Sequence, residues 1–388
     1  MACNYCEIIP EADAPPEAGT LFLSPPLSHT QDKLRRFFDH CHVAYEEPAP
    51  DVLAVPLRPG LLQELAQDAP GVLDPPEMDY IKSLILPPGQ SPSLGDLGRM
   101  QSLQTLLART RGGWLIAMLR EDRLMTHFQP IVSTQNPNHV FAYEALLRGR
   151  QPDGTLIPPS EIFGVALAAN LINQMERAGR ATTVRAASEA NITSKLFINF
   201  NPATIYDPVF CLRSLMQAID RSNIAPAQIV FEVIESSEIK DTRQLLRILD
   251  FYRARGFGVA LDDMGAGYSS LNMMTKLRPD YVKLDIELIH HVDRDSYKAQ
   301  IAGKMLELAQ GLGLKTIAEG VETEEEWHWA RAHGADYVQG FLFARPGFPP
   351  PLPVLPPTLK ARYDGLVREE NARPSATRDA QFHVEASK

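Results

Sequence analysis

The stretch FQPIVSTQNPNHVFAYEALLR, residues 128–148, decides the reading of the fold. Two apolar runs, FQPIV (128–132) and FAYEALL (141–147), are joined by only eight residues, STQNPNHV. A parallel crossover needs about a dozen residues or more, so these runs should form an antiparallel hairpin. Glu144 sits inside the second run. An unpaired buried carboxylate is costly unless something compensates it, and a metal ion would.

Further strand-like runs follow: LFINFN (196–201), IVFEVIE (229–235), GVALDDM (258–264), YVKLDIE (281–287), KTIAEG (315–320) and YVQGFLF (337–343). Helical stretches such as DTRQLLRILDFYRARG and YKAQIAGKMLELAQGLG separate most of them. Strands alternating with helices argue for a parallel sheet, and eight strands fit a (β/α)8 barrel. The expected fold is therefore α/β, a modified TIM-type barrel with an antiparallel first strand over 119–350. A small α+β domain should precede it at 1–95, with a linker and helix at 96–118.

Within residues 1–95, TLFLS (20–24) reads as a strand and HTQDKLRRFFDHC (29–41) as an amphipathic helix. DVLAVPL (51–57) is a second apolar run, and LLQELAQ (61–67) and MDYIKSLIL (78–86) read as helices. PPGQSPSLGDLG (87–98) has linker composition. Periodicity stops after PGFPPPLPVLPP (346–357), and the polar tail within 351–388 should be disordered.

At 388 residues the chain has room for two or three domains. Its net charge of −10 argues against binding a nucleic-acid polymer, which needs basic surface. No apolar run reaches the roughly 18 residues of a membrane span, so no membrane insertion is expected. The start, MACNYCEIIPEADAPPEAG, has neither the basic nor the apolar region of a secretory signal. Four cysteines make no disulfide framework, which suits a reducing cytoplasm. Cys3 and Cys6, with His40, Cys41 and His42 downstream, offer zinc-type ligands, but the spacing is unusual and the better reading is incidental cysteines.

The strand ends carry the chemistry. Glu144, Asn199, Glu232, Asp262 with Asp263, Lys283, Glu319 and Gln339 all lie in or just after apolar runs. Barrel active sites occupy the C-terminal ends of the strands. One such residue is most often a cap or turn residue. Seven runs doing so in succession point to one site. Five carboxylates on one rim repel if all are ionised. Oxygen-rich donors suit Mg²⁺ or Mn²⁺, and two such ions would neutralise four charges. Paired ions suit displacement at phosphorus. Neither a zinc-type His/Cys cluster at these ends nor a nucleoside-triphosphate phosphate loop is present. DDMGAGYSSL (262–271) adds Gly265 and Gly267, which permit a mobile loop.

These motifs, in this order, resemble the EAL-domain cyclic-di-GMP phosphodiesterases of bacteria over roughly residues 120–346. FQPI, EALLR, INFN, EVIE, DDMGAGYSSL, KLD, AEGVE and QGFLF carry the resemblance. It implies hydrolysis of cyclic di-GMP to linear pGpG with two Mg²⁺ or Mn²⁺ ions. By position it implies metal ligands at Glu144, Asn199, Glu232, Asp262 and Asp263. Glu319 matches the general base or a metal-water ligand, and Lys283 the lysine that orients the hydrolytic water. Gln129, Arg148 and Gln339 match substrate contacts. Arg148 could fork onto a phosphate. Glu235 matches the anchor of the glycine loop, and Glu322 a structural glutamate. The resemblance also implies a homodimer through the barrel.

Three positions depart from the pattern. Ile234 stands where threonine is usual, Met264 where phenylalanine is usual, and Asn201 where serine is usual. None removes a metal ligand. Ile234 keeps a second reading open, a non-hydrolysing receptor signalling through residues 1–95. A third reading, a regulator that has lost ligand binding, sits poorly with the intact acidic set. Whatever partner or ligand residues 1–95 recognise, the sequence does not identify it.

Overall fold

The computed structural model describes residues 15–205, 208–234, 242–265 and 270–357. Cys3, Cys6, Glu235, Gly267 and most of the proposed tail lie outside the described residues. Contacts divide the chain into two compact units. The first comprises the described residues of Met1–Thr126, Leu147–Ala186 and Thr204–Ser222; the second, those of His127–Leu146, Ala187–Ala203 and Asn223–Lys388.

In the first unit, β1 (Gly19–Ser24), β2 (Glu46–Ala49), β3 (Val52–Leu57), β4 (Lys82–Leu86) and β5 (Gln101–Ser102) form one antiparallel sheet. Its spatial order is β2-β3-β1-β4-β5. With helix Ser28–His40 after β1 and two short helices, Leu61–Asp68 and Pro75–Tyr80, after β3, this is the βαββαβ arrangement of ferredoxin-like sheets. Helix Ser28–His40 buries Leu34, Phe37 and Phe38, the spacing of one helical face, against Leu21, Leu23, Leu53 and Val55 of the sheet. Leu103, Leu106 and Leu107, from helix Leu103–Arg111, join the same core.

One expectation fails here. MDYIKSLIL is not a single helix: Pro75–Tyr80 is helical and Lys82–Leu86 is strand β4, paired with β1. Ile81 is extended (φ −66°, ψ 116°), and the sheet supplies hydrogen bonds and apolar cover that override a weak helical pattern. The expected helix at 61–67 and strand at 20–24 both form.

Among the described residues, eight strands close a barrel: β6 (Leu124–Ser133), β7 (Val140–Arg150), β9 (Lys195–Phe200), β10 (Ile229–Ile234), β11 (Gly258–Met264), β12 (Tyr281–Leu284), β13 (Lys315–Ala318) and β14 (Tyr337–Gln339). A two-residue strand, β8 (Leu156–Ile157), adds to the end of β7. Pairings from β7 through β9 to β14 are parallel, whereas β6 is antiparallel to β14 and closes the ring on β7. The β6–β7 connection is the short hairpin the sequence demanded, with Ser133 N–H donating to His139 O at 3.1 Å.

The run YVQGFLF is strand only to Gln339. Gly340 packs so close to Val321 that a Cβ there would lie 1.9 Å from Val321 O. Val321 N–H donates to Gln339 O, and Leu342 N–H donates to Val321 O. Those bonds take the chain out of the sheet into a turn.

Each barrel strand sends two side chains inward, two residues apart. The deeper layer is apolar: Ala142, Phe197, Val230, Ala260, Tyr281, Ile317, Tyr337 and, on β6, Ile131 pack into one cluster with Phe141. Phe141 stacks on Tyr337 at 3.7 Å, and Phe197 meets Tyr281 edge-on at 5.2 Å. This layer plugs the barrel, so the next layer toward the C-terminal ends has a dry floor.

Candidate active site

Two residues above that floor, period-two alternation places Glu144, Asn199, Glu232, Asp262, Lys283 and Gln339 on the same inner wall, with Glu319 just past β13. On antiparallel β6 the order reverses, and Gln129 rises above Ile131. Direct register confirms the level: Glu232 pairs with Asn199. All these residues belong to the second compact unit.

Lys283 is the hub. Its Nζ lies 2.6 Å from Glu319 Oε1, 2.7 Å from Glu232 Oε1, 3.0 Å from Asp262 Oδ1 and 3.8 Å from Glu144 Oε2. The side chain is 1% exposed. Burial alone would lower its pKa, but the surrounding carboxylates overcome this and hold the ammonium form well above the ordinary lysine value. Lys283 is thus a core cation and not a surface lysine with its ammonium in water.

Glu144 is gripped from both sides. Asn199 Nδ2 donates to its Oε1 at 3.3 Å, and Gln339 Nε2 donates to its Oε2 at 2.5 Å. Gln339 Nε2 also donates to Gln129 Oε1 at 3.1 Å, and Gln129 Nε2 donates to Ala344 O at 3.2 Å. These amides fix one carboxylate through a chain of dipoles that the sequence showed only as isolated polar residues.

Burial drives the carboxyl groups of Glu232 and Glu319 well above the usual range, with Lys283 opposing it. Asp263, half-buried and next to Asp262, is pushed up to about 6, again chiefly by burial. It adopts φ +57°, a left-handed conformation for a residue with a Cβ. Gly265, at φ +108°, follows it, and a Cβ there would meet Leu288 Cδ1 at 2.2 Å.

The donor set fits hard divalent cations. Asp262, Asp263 and Glu319 can each bring one oxygen within 4.8 Å of the others. Glu232 Oε2 is buried and has no hydrogen-bond partner among the described residues. Lys283 offsets one of five carboxylates and leaves four, the charge of two divalent ions.

Other sequence candidates fall elsewhere. Arg148 stands four residues beyond Glu144 on β7, belongs to the first compact unit, and donates from Nη1 to Leu147 O at 2.7 Å. Glu322 is exposed, and among the described residues its backbone N–H, not its carboxylate, is engaged. The structural glutamate is Glu326, fully buried, which the sequence reading missed. Its signal was a capping box: Thr323 followed three residues later by Glu326. Asp285, also missed, is buried and accepts from Glu287 N–H at 2.7 Å, capping the short helix Ile286–Ile289.

The family described as the EAL domain matches residues 114–346. The chain belongs to the EAL domain family. Its EAL domain is 32% identical over 240 residues to the cyclic di-GMP phosphodiesterase NbdA of Pseudomonas aeruginosa, covering 59% of this chain and 29% of that protein. It is 30% identical over 240 residues to the cyclic di-GMP phosphodiesterase PdeR of Escherichia coli, covering 60% and 36%. The chain thus spans about a third of the length of these curated relatives. Among solved structures, a standalone EAL protein of Vibrio cholerae in its c-di-GMP-bound form is 33% identical, with TM-score 0.54, over 61% of this chain and 97% of that one.

Proposed function

We propose that the EAL domain of this chain hydrolyses one phosphodiester of cyclic di-GMP to linear pGpG. The observation that carries the reading is the buried ring of Glu144, Glu232, Asp262 and Glu319 around Lys283, with Asp263 beside it. Relatives at about this identity are named cyclic di-GMP phosphodiesterases, and a similar solved structure holds c-di-GMP.

Glu144, Asn199, Glu232, Asp262 and Asp263 would hold two Mg²⁺ or Mn²⁺ ions, which supply positive charge for the phosphoryl oxygens and a more acidic water. Glu319, whose carboxyl already has raised proton affinity, accepts a proton from the attacking water. Lys283 orients that water and offsets part of the negative charge of the carboxylates around it. The water oxygen bonds to phosphorus, one P–O3′ bond breaks, and the departing 3′-oxygen takes a proton from solvent, to which Glu319 later releases its own. Gln129 and Gln339, which line the same inner wall, bind the substrate.

Incubation of the purified chain with cyclic di-GMP and Mn²⁺, followed by chromatography, should show pGpG. An unchanged dinucleotide peak at high enzyme concentration rejects hydrolysis. Ile234, in place of the usual threonine between Glu232 and Glu235, favours a second reading, a receptor that binds without turnover. Retention of the dinucleotide in that assay, with binding by calorimetry, identifies it.

We further propose a regulatory role for residues 1–95, a cytoplasmic location and a homodimer. Tyr297, Ile301, Leu308 and Leu312, exposed along helix Ser296–Gly311 and its end, offer the dimer an apolar stripe.

A further inference from the structure

We propose that His290, His291 and Glu326 form a second metal site, for a zinc-type divalent ion, separate from the carboxylate ring. It would fasten the loop after β12 to the helix after β13, Glu324–Ala332.

The anchor is Glu326. Its Oε2 accepts from the N–H groups of Glu322 (2.8 Å) and Thr323 (3.1 Å), and its Oε1 accepts from His291 N–H at 2.8 Å. Burial works against its charge, but these three donors outweigh burial and hold its carboxyl below the usual range. His291, at φ +60°, turns the chain so that its N–H reaches the carboxylate. A fixed anion with one lone-pair direction left on Oε1 is a prepared ligand.

His290 faces that direction. Its Nδ1 is buried, lies 3.5 Å from Glu326 Oε1, and has no hydrogen-bond partner among the described residues. Tetrahedral zinc with bonds of about 2.1 Å sets neighbouring ligand atoms about 3.4 Å apart. The His291 ring lies against the His290 ring at 3.9 Å, and ligand atoms of all three residues come within 4.8 Å of one another. His291 is exposed, so a side-chain rotation closes the remaining gap and leaves solvent at the fourth position. Lys298 Nζ donates to the His290 carbonyl at 2.7 Å. Two imidazoles and one carboxylate suit zinc, cobalt or nickel, not the Mg²⁺ or Mn²⁺ of an all-oxygen site.

The same loop reaches the acidic ring. Ile286 packs on Gly320, next to Glu319, and Leu288 packs on Gly265, two residues after Asp263. An ion at His290 therefore steadies the segment that abuts both acids.

Cobalt(II) is the probe, titrated into the intact chain in excess Mg²⁺ and followed by equilibrium dialysis and visible d–d absorption. Wild type should take up one more equivalent than the His290→Ala/His291→Ala variant, and each single variant should bind it at least about tenfold more weakly. Asp262→Ala should keep the histidine-dependent equivalent. Equal uptake by wild type and the double variant overturns the proposal. Wild type alone gives an independent readout: the His290 and His291 imidazole resonances should move with Zn²⁺ and not with Mg²⁺. Resonances that stay put with Zn²⁺ overturn it equally.

Discussion

The Lys283 ammonium and the Glu232 carboxylate meet at 2.7 Å with 1% and 0% of their side chains exposed. Neither group could be there alone, because an isolated buried charge costs several kcal/mol. Lys283→Met keeps the length and removes the charge. It should destabilise the metal-free chain by about 3–5 kcal/mol, measured by urea unfolding. Added Mn²⁺ should restore part of the loss by replacing the missing cation. Unchanged stability without metal would show that the carboxylates are relieved by protonation instead.

Glu144→Gln keeps the shape of a side chain held by Asn199 and Gln339 but removes the anion. Turnover of cyclic di-GMP with Mn²⁺ should fall more than about a hundredfold, with an unaltered circular dichroism spectrum. Turnover within a few-fold of wild type would remove Glu144 from the metal ligands.

Gly340 should not tolerate alanine. The new Cβ would stand 1.9 Å from Val321 O and 2.4 Å from Val321 N, both backbone atoms that cannot swing aside. Gly340→Ala should cost at least about 2 kcal/mol and impair turnover by shifting Gln339. Gly347→Ala is the control, since its nearest neighbours lie 3.9 Å away. Equal melting temperatures for the two variants would refute the steric argument.

In the first unit, Glu77 accepts from Lys33 Nζ at 2.8 and 2.9 Å and from Asp74 N–H at 2.9 Å. Lys33 chiefly, then Asp74, hold its carboxyl below the usual value of 4.5. A depressed folded value means that this stabilisation is present above the unfolded value and is lost as pH falls through the folded one. Glu77→Gln should therefore destabilise the chain near neutral pH by about 1 kcal/mol. In thermal melts the difference from wild type should shrink as the pH falls below 4.5. A difference independent of pH would rule out the ionised carboxylate as its source.

Much of this site was legible because a strand has period two. An apolar residue followed two positions later by a polar one, as in Phe197 and Asn199 or Tyr281 and Lys283, marks an inward-facing wall whatever the rest of the fold. The eight-residue link STQNPNHV likewise forced a hairpin by its length alone. Misreadings came where local pattern competed with tertiary hydrogen bonds. MDYIKSLIL carries a helix-like apolar spacing, and pairing with β1 made half of it a strand. In AEGVE the eye falls on Glu322, yet the backbone donors converge on Glu326, whose burial no spacing rule reveals.

By itself the sequence determined the barrel, its reversed first strand and the identities of the acidic residues, because chain length between strands and residue alternation are local quantities. Only the tertiary structure decided how those charges are balanced. It set Lys283 between Glu232, Asp262 and Glu319, bound Glu144 through Asn199 and Gln339, and brought His290 to face Glu326. Those relations join residues far apart in the chain. Electrostatic energy depends on their distance and burial in space, which strand order and closure of the barrel create.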